Sequence, residues 1–247
     1  IGFTGCEDYL DRKNLDSLDD SNFWTNEGNM RLFAQGAYTD YFYGYGTCFA
    51  YGDFFTCGPW SDEYSSSAIW TQNTATSGNG WSFGMDRRAN IMIDRVELMP
   101  VSDEAKNHWR GIGRFFPAME YSNLTRLFGD VPWYDTEILP SEVELSYKQR
   151  DPLPFVATKI MEDFQYAAEN VRVNDGAFQI NRDVVLAFMS RHLLYLGTFM
   201  KYHNVDQSAA ATMLEQAKWA AQQIMQSGKY QVADDYRAMF SSADLGG

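Results

Sequence analysis

Three tryptophans, Trp60, Trp70 and Trp81, stand among Ser61, Asp62, Glu63, Tyr64, Gln72 and Asn73. That mixture suits a sugar. The C–H faces of a pyranose pack against a flat π-system, and its hydroxyls need directional partners such as Asp and Asn. Trp60, Trp70 and Tyr64 are the expected platforms, with Asp62 and Asn73 as hydrogen-bond partners and Trp81 beside them. Burial in a core is the alternative for any single tryptophan. For the cluster binding is favoured, because a Gly-rich stretch has no apolar stripe on which to bury so many rings together.

Other chemistry finds less support. Asp62 with Glu63, or Asp234 with Asp235, are paired carboxylates. Adjacent residues point different ways, however, whereas glycoside hydrolysis needs two carboxyl groups about 5 to 9.5 Å apart facing one substrate. No enzymatic activity is expected. His108, His192 and His203 have no partner at metal-ligand spacing, so each reads as a packed or solvated histidine. Tyr43-Gly-Tyr-Gly lacks the strand and helix that flank a dinucleotide loop. An acidic chain can hold structural calcium, but Asp16-Ser-Leu-Asp-Asp lacks the alternating ligand spacing, and no cofactor is indicated. With 33 acidic against 20 basic side chains the net charge is −13. Such a chain repels phosphates, so nucleic acid is not expected as a partner.

The elements that must position these residues are helical. Of the 247 residues 45% are hydrophobic, enough for a packed core. From Thr25 to Tyr43, Met30, Phe33, Ala34, Ala37, Tyr38 and Tyr41 recur at three and four, with Thr25 or Asn26 as cap. Trp81 to Leu98 carries Met85, Ile91, Ile93, Val96 and Met99 in a helical pattern. Asp103 to Phe128 continues it, stopped by Gly129 and Pro132, and a polar connection from Tyr134 to Arg150 follows. Pro154 to Val171 puts Phe155, Ile160, Phe164, Ala167, Ala168 and Val171 on one face. Asn181 to Tyr202 does so with Leu186, Met189, Leu193, Leu196, Phe199 and Met200, and Ser208 to Met225 with Met213, Ala217, Ala220, Ala221 and Ile224. The short connection between the last two predicts an antiparallel hairpin. The fold class is mainly α, with helix pairs stacked as in tetratricopeptide solenoids. Between Gly44 and Gly80 the period vanishes while Tyr45, Phe49, Tyr51, Phe54 and Phe55 add to the rings already named. Loops this long are usually functional or disordered, and their ring content argues for function.

Glu7 to Ser21 is polar and aperiodic, as a tether would be. Ahead of it, Cys6 follows Phe3-Thr4-Gly5, which resembles the end of a bacterial lipoprotein signal. On that reading residues 1–5 are the tail of the signal, Cys6 is lipidated, residues 6–21 are the tether and residues 22–247 the helical domain. A plain N-terminal thiol is the alternative. Cys48 and Cys57 lie close together and form a disulfide in an oxidising compartment or stay free in a reducing one. No apolar run is long enough for a spanning helix.

Several separate stretches then resemble one family in its order. Cys6-Glu-Asp-Tyr-Leu-Asp, Asn22-Phe-Trp-Thr-Asn-Glu and Ala37-Tyr are similar to the N-terminus of SusD-like (RagB/SusD) outer-membrane lipoproteins of Bacteroidetes. Arg88-Ala-Asn-Ile-Met-Ile, Arg126-Leu-Phe-Gly-Asp-Val-Pro-Trp and Ile160-Met-Glu-Asp-Phe-Gln-Tyr-Ala are similar to further signatures. The resemblance implies a helical scaffold with tetratricopeptide-like pairs and long glycan-binding loops. It also implies a lipid anchor in the outer membrane facing outward, and docking on a SusC-like TonB-dependent transporter that imports the captured oligosaccharide or polysaccharide. A peptide or glycopeptide ligand fits the family too. Family members are longer, so the C-terminal half is expected to be missing. The reading kept beside it is a helical repeat scaffold that binds a protein or peptide through the aromatic loop.

Overall fold

The computed structural model describes residues 20–42, 80–139, 141–232, 234, 235 and 237. Among them the regular structure is helical: α1 (Asp20–Phe23), α2 (Glu27–Gln35), α3 (Tyr38–Tyr41), α4 (Gly84–Val96), α5 (Asp103–Phe128), α6 (Val143–Ser146), α7 (Leu153–Asn170), α8 (Arg182–Tyr202) and α9 (Gln207–Gln226). An antiparallel bridge joins Val131 to Asp151. Successive long helices pack on one another, α4 on α5, α5 on α7, α7 on α8 and α8 on α9. The stacked, mainly α architecture is the one expected. No described helix is long and apolar enough to cross a membrane.

Four helix starts follow from side-chain oxygens that accept an otherwise orphaned backbone N–H three residues on. Asn26 accepts from Asn29 at 3.0 Å, Ser102 from Ala105 at 3.2 Å, Asn181 from Val184 at 3.0 Å and Asp206 from Ala209 at 2.9 Å. Gly129 ends α5 at φ 72, a left-handed backbone that glycine adopts without steric cost. The largest fully buried side chains include Phe115 and Tyr121 of α5, Phe164 of α7 and Leu193 of α8.

Three expectations need correction. The single helix over 25–43 is two, α2 and α3, parted at Gly36 and Ala37. A Cβ at Gly36 would fall within 2.1 Å of the Arg88 guanidinium, which donates to the Phe33 carbonyl at 2.6 Å and so draws the end of α2 toward α4. Met30, Ala34, Ala37, Tyr38 and Tyr41 are nevertheless buried. Phe155, expected on the buried face of α7, is 45% exposed. It lies in the first turn, where Lys159 covers its ring at 5.8 Å. Finally, the buried face of α4 carries Asp86, Ala89, Asn90 and Met92 besides Val96, while Met85 and Ile91 are half-buried.

The α8–α9 hairpin packs as predicted, and Gly197 sets the spacing. A Cβ there would lie 2.9 Å from Leu214 Cγ and 3.1 Å from the Ala210 carbonyl oxygen. Gly197→Leu is expected to cost about 3 kcal/mol by overpacking, read as a lower urea midpoint at unchanged slope. An unchanged midpoint would mean that the two helices do not approach this closely.

Candidate functional site

Of the residues expected to bind sugar, Trp60, Asp62, Tyr64, Trp70 and Asn73 lie outside the described residues, as do Cys6, Cys48 and Cys57. Trp81 is described. It is half-buried, edge-on to Phe83 (centroids 5.4 Å apart) and Phe128 (5.0 Å), with the Arg150 guanidinium 5.1 Å from its ring centre. Its neighbours thus fix its plane, and Arg150 covers one face.

Phe83 links Trp81 to a cavity of about 300 Å³ that the sequence did not single out. One wall is α4, which contributes Asp86 and Arg87. The other is the stretch 133–150, expected only as a polar connection and in fact closed at its base and folded around α6. Closure comes from the bridge between Val131 and Asp151, whose carboxylate accepts from the Trp133 N–H at 2.7 Å and from Lys148 at 2.8 Å. Burial works against the Asp151 charge, but Lys148 and the Trp133 N–H together hold its carboxyl below the usual range. Asp130 completes the base by accepting the Leu153 N–H at 2.8 Å.

Helix α4 then holds this wall by its polar side chains. The Asn90 amide donates to the carbonyls of Tyr134 at 3.2 Å and Thr136 at 3.1 Å, and Arg87 donates to Glu137 at 2.6 Å. Behind them the buried Tyr121 hydroxyl accepts the Tyr134 N–H at 2.8 Å, and its ring packs 4.2 Å from Trp133. The Phe83 and Tyr134 rings meet at 90° with centroids 5.3 Å apart, forming an aromatic corner.

Asp86 is the unusual member. It is 2% exposed, its Oδ1 has no hydrogen-bond partner, and its Oδ2 has a long 3.4 Å contact from Asn90. The Asn90 amide has two hydrogens and two shorter acceptors, so that contact is weak. Burial pushes the carboxyl up to about 8. The Tyr121 hydroxyl restrains the rise by hydrogen bonding to the carboxyl, while Asp163, Glu120 and Asp135 add to it by repulsion. At neutral pH Asp86 is therefore mostly a neutral acid, able both to donate and to accept. A signal for this region was present in the sequence, since a connection as long as 134–150 tends to be functional. Asp86 itself carried none, because an aspartate on a helix face is ordinarily solvated.

His108 and His192 are packed, and His203 is exposed. His108 is fully buried; its Nδ1 accepts the Arg172 N–H at 3.2 Å and its Nε2 faces Asp175 at 3.4 Å. His192 stacks on Phe164 and Phe188, and burial, with Arg191 and Arg126, lowers its pKa to about 4. His203 follows the end of α8, its ring 4.4 Å from Phe199. Among the described residues no group of three His, Cys, Asp or Glu side chains is placed to hold a metal ion.

No family model and no curated protein matches the chain. Solved structures do. A SusD-like protein of Bacteroides fragilis NCTC 9343 superposes with a TM-score of 0.64 at 18% identity, over 90% of this chain and 43% of that one. B. fragilis NanU gives 0.62 at 20% identity, over 90% and 46%. A SusD-like carbohydrate-binding protein of B. fragilis NCTC 9343 gives 0.59 at 17% identity, over 88% and 44%. The chain spans less than half the length of these neighbours, and over most of its own length it has the SusD-like fold.

Proposed function

We propose that this protein captures a glycan without transforming it, through the aromatic residues of the stretch 44–80, and delivers it to a SusC-like TonB-dependent transporter. In the same proposal it is held at the outer membrane by lipid on Cys6 and faces outward. The observation that carries the reading is the SusD-like fold, shared with a protein described as carbohydrate-binding, in a chain whose longest aperiodic stretch is rich in Trp, Tyr, Asp and Asn. Trp81, held rigid by Phe83, Phe128 and Arg150, supports it, because that stretch leads directly into a fixed aromatic cluster.

The test is affinity electrophoresis through gels containing dissolved polysaccharides, with the Trp60→Ala/Trp70→Ala double variant alongside. Each stacking contact is worth about 1 kcal/mol beyond burial. The wild-type chain is therefore expected to be retarded by at least one polysaccharide, and loss of both rings to weaken binding by roughly 30-fold. Hydrolytic turnover by pure protein would overturn the reading. So would retardation that survives in the double variant, or its absence in a longer chain that includes these residues. Retained sugar binding with lost assembly onto a protein partner would instead favour the scaffold reading.

A further inference from the structure

We propose that His108 is an acid-sensitive latch for the loop 171–181: the neutral ring holds the neck of the loop to α5, and a protonated ring releases it. The latch uses none of residues 44–80, so it stands whether or not those residues capture a glycan.

The neck is built around Arg172. Gly111 of α5 lets the chain come close, since a Cβ there would lie 2.9 Å from Val171 Cγ2 and 3.5 Å from the Val171 nitrogen. One residue on, the Arg172 N–H donates to His108 Nδ1 at 3.2 Å, and the Arg172 carbonyl accepts the Arg182 N–H at 2.9 Å. The second bond closes the loop on itself, and the first ties the neck's backbone to α5. Beyond the neck the loop reaches α2 and α3. Asp175 accepts from Arg31, Gln179 meets Gln35 at 3.2 Å, and the Ile180 N–H donates to the Tyr38 hydroxyl at 3.1 Å. At the tip Phe178 is 71% exposed with φ 60. A bulky residue in the left-handed region is strained and persists only while its surroundings hold it, so release at the neck favours opening.

Proton counting on the ring sets the switch. An imidazole nitrogen that accepts carries no hydrogen, so neutral His108 has its proton on Nε2. Nε2 lies 3.4 Å from Asp175 Oδ2 without making a hydrogen bond. A second proton has only Nδ1 to occupy, where it meets the Arg172 N–H, donor against donor. Burial is the larger obstacle, because the side chain is fully enclosed and a charge there is costly. Asp175 of the loop, Glu104 of α5 and Glu27 of α2 favour the imidazolium, and Arg172 opposes it. Those carboxylates are already paired, Asp175 with Arg31 and Arg172, and Glu27 and Glu104 with Arg172. Burial prevails and holds the ring below the usual histidine range. Lifting the loop lets water reach the ring, which then protonates at its ordinary value of about 6.5. Acid therefore favours the open loop. Between pH 6.5 and 5 the carboxylates, which ordinarily titrate at about 4, add little.

The experiment is amide hydrogen exchange on the protein from pH 7 to 5, expressed as opening constants after division by the intrinsic rate, with ¹⁵N spectra of the histidine rings. The variant is His108→Asn, whose side-chain oxygen can accept the Arg172 N–H but does not titrate. The opening constant across 172–181 is expected to rise about tenfold between pH 6.5 and 5, with the buried amides of α7 and α8 unchanged, and to stay level in His108→Asn. The ring spectra are expected to place the His108 proton on Nε2 at pH 7. The proposal is overturned if the loop stays shut or tightens on acidification, which would mean that His108 protonates in place and pairs with Asp175. It is also overturned if α7 and α8 open together with the loop, if the rise persists in His108→Asn, or if Nδ1 carries the proton at pH 7. The ring spectra need only the wild-type chain, so they decide the matter even if His108→Asn does not fold.

Discussion

Asp86→Asn is expected to raise the stability of the protein at pH 8 by about 3 kcal/mol, because it replaces a buried ionisable acid by a neutral amide. The gap between the buried value near 8 and the ordinary 3.8, at about 1.4 kcal/mol per pH unit, sets a ceiling of about 5 kcal/mol. An unpaired amide at the same place costs about 1 to 2 kcal/mol of that gain. The sign follows from proton counting. Between the unfolded and folded values the unfolded chain has released the Asp86 proton and the folded chain retains it, so stability falls as pH rises. Asp163, which burial raises to about 7, acts in the same direction. The buried histidines act oppositely: His192, lowered to about 4, and His108, lowered by burial, stay neutral where the unfolded chain binds protons below about 6.5.

Wild-type stability should therefore rise by about 2 kcal/mol from pH 8 to 6.5. It should then run nearly flat toward pH 5 as the carboxylate and histidine effects cancel. Urea unfolding at several pH values measures this. A wild-type curve that is flat between pH 6.5 and 8, or an Asp86→Asn variant that is less stable at pH 8, would show that Asp86 is ionised and paired. Stability gained on removing a liability of this kind is a common companion of binding function.

Arg172→Ala is expected to cost about 2 to 3 kcal/mol and to loosen residues 171–181. Arg172 donates to Glu27 of α2 at 2.8 Å, to Glu104 of α5 at 2.8 Å and to Asp175 at 3.1 Å. These pairs are not equal. The Glu104 side chain is 62% exposed and its pair is worth little in water, whereas Asp175 is 6% exposed. Burial works against the Asp175 charge, but Arg31 and Arg172 together hold its carboxyl below the usual range. Without Arg172, Arg31 at 2.5 Å and neutral His108 must support it alone. Breaking a buried pair from one side costs several kcal/mol because the remaining charge is uncompensated, and one surviving partner reduces that here. Faster amide exchange across 171–181 with a lower urea midpoint is the expected result. An unchanged midpoint in low salt would mean that Arg31 is sufficient.

Much of the scaffold is legible without coordinates because it is local. The periods of three and four in α5, α7, α8 and α9, the cap at Thr25 or Asn26, and the stop at Gly129 each involve residues within a turn or two of one another. The four-residue link from α8 to α9 leaves little choice but a hairpin. The expected site rests on the same kind of local signal, a run of rings without a stripe to bury them, and of its members Trp81 is the one whose surroundings are described.

What the sequence by itself determined, then, was the helical class, the order and approximate bounds of the long helices, and the presence of sugar-compatible chemistry outside them. Tertiary structure decided which polar residues leave water. Asp86 lies opposite a wall some fifty positions further on, where Arg87 meets Glu137, and the Arg172 cluster joins residues 145 positions apart in Glu27 and Arg172. Burial and pKa depend on what packs over a side chain, and periodicity along one helix carries no information about a neighbour so far away in the chain. For that reason a solvated-looking aspartate on α4 became a buried acid only when the 133–150 wall folded over it.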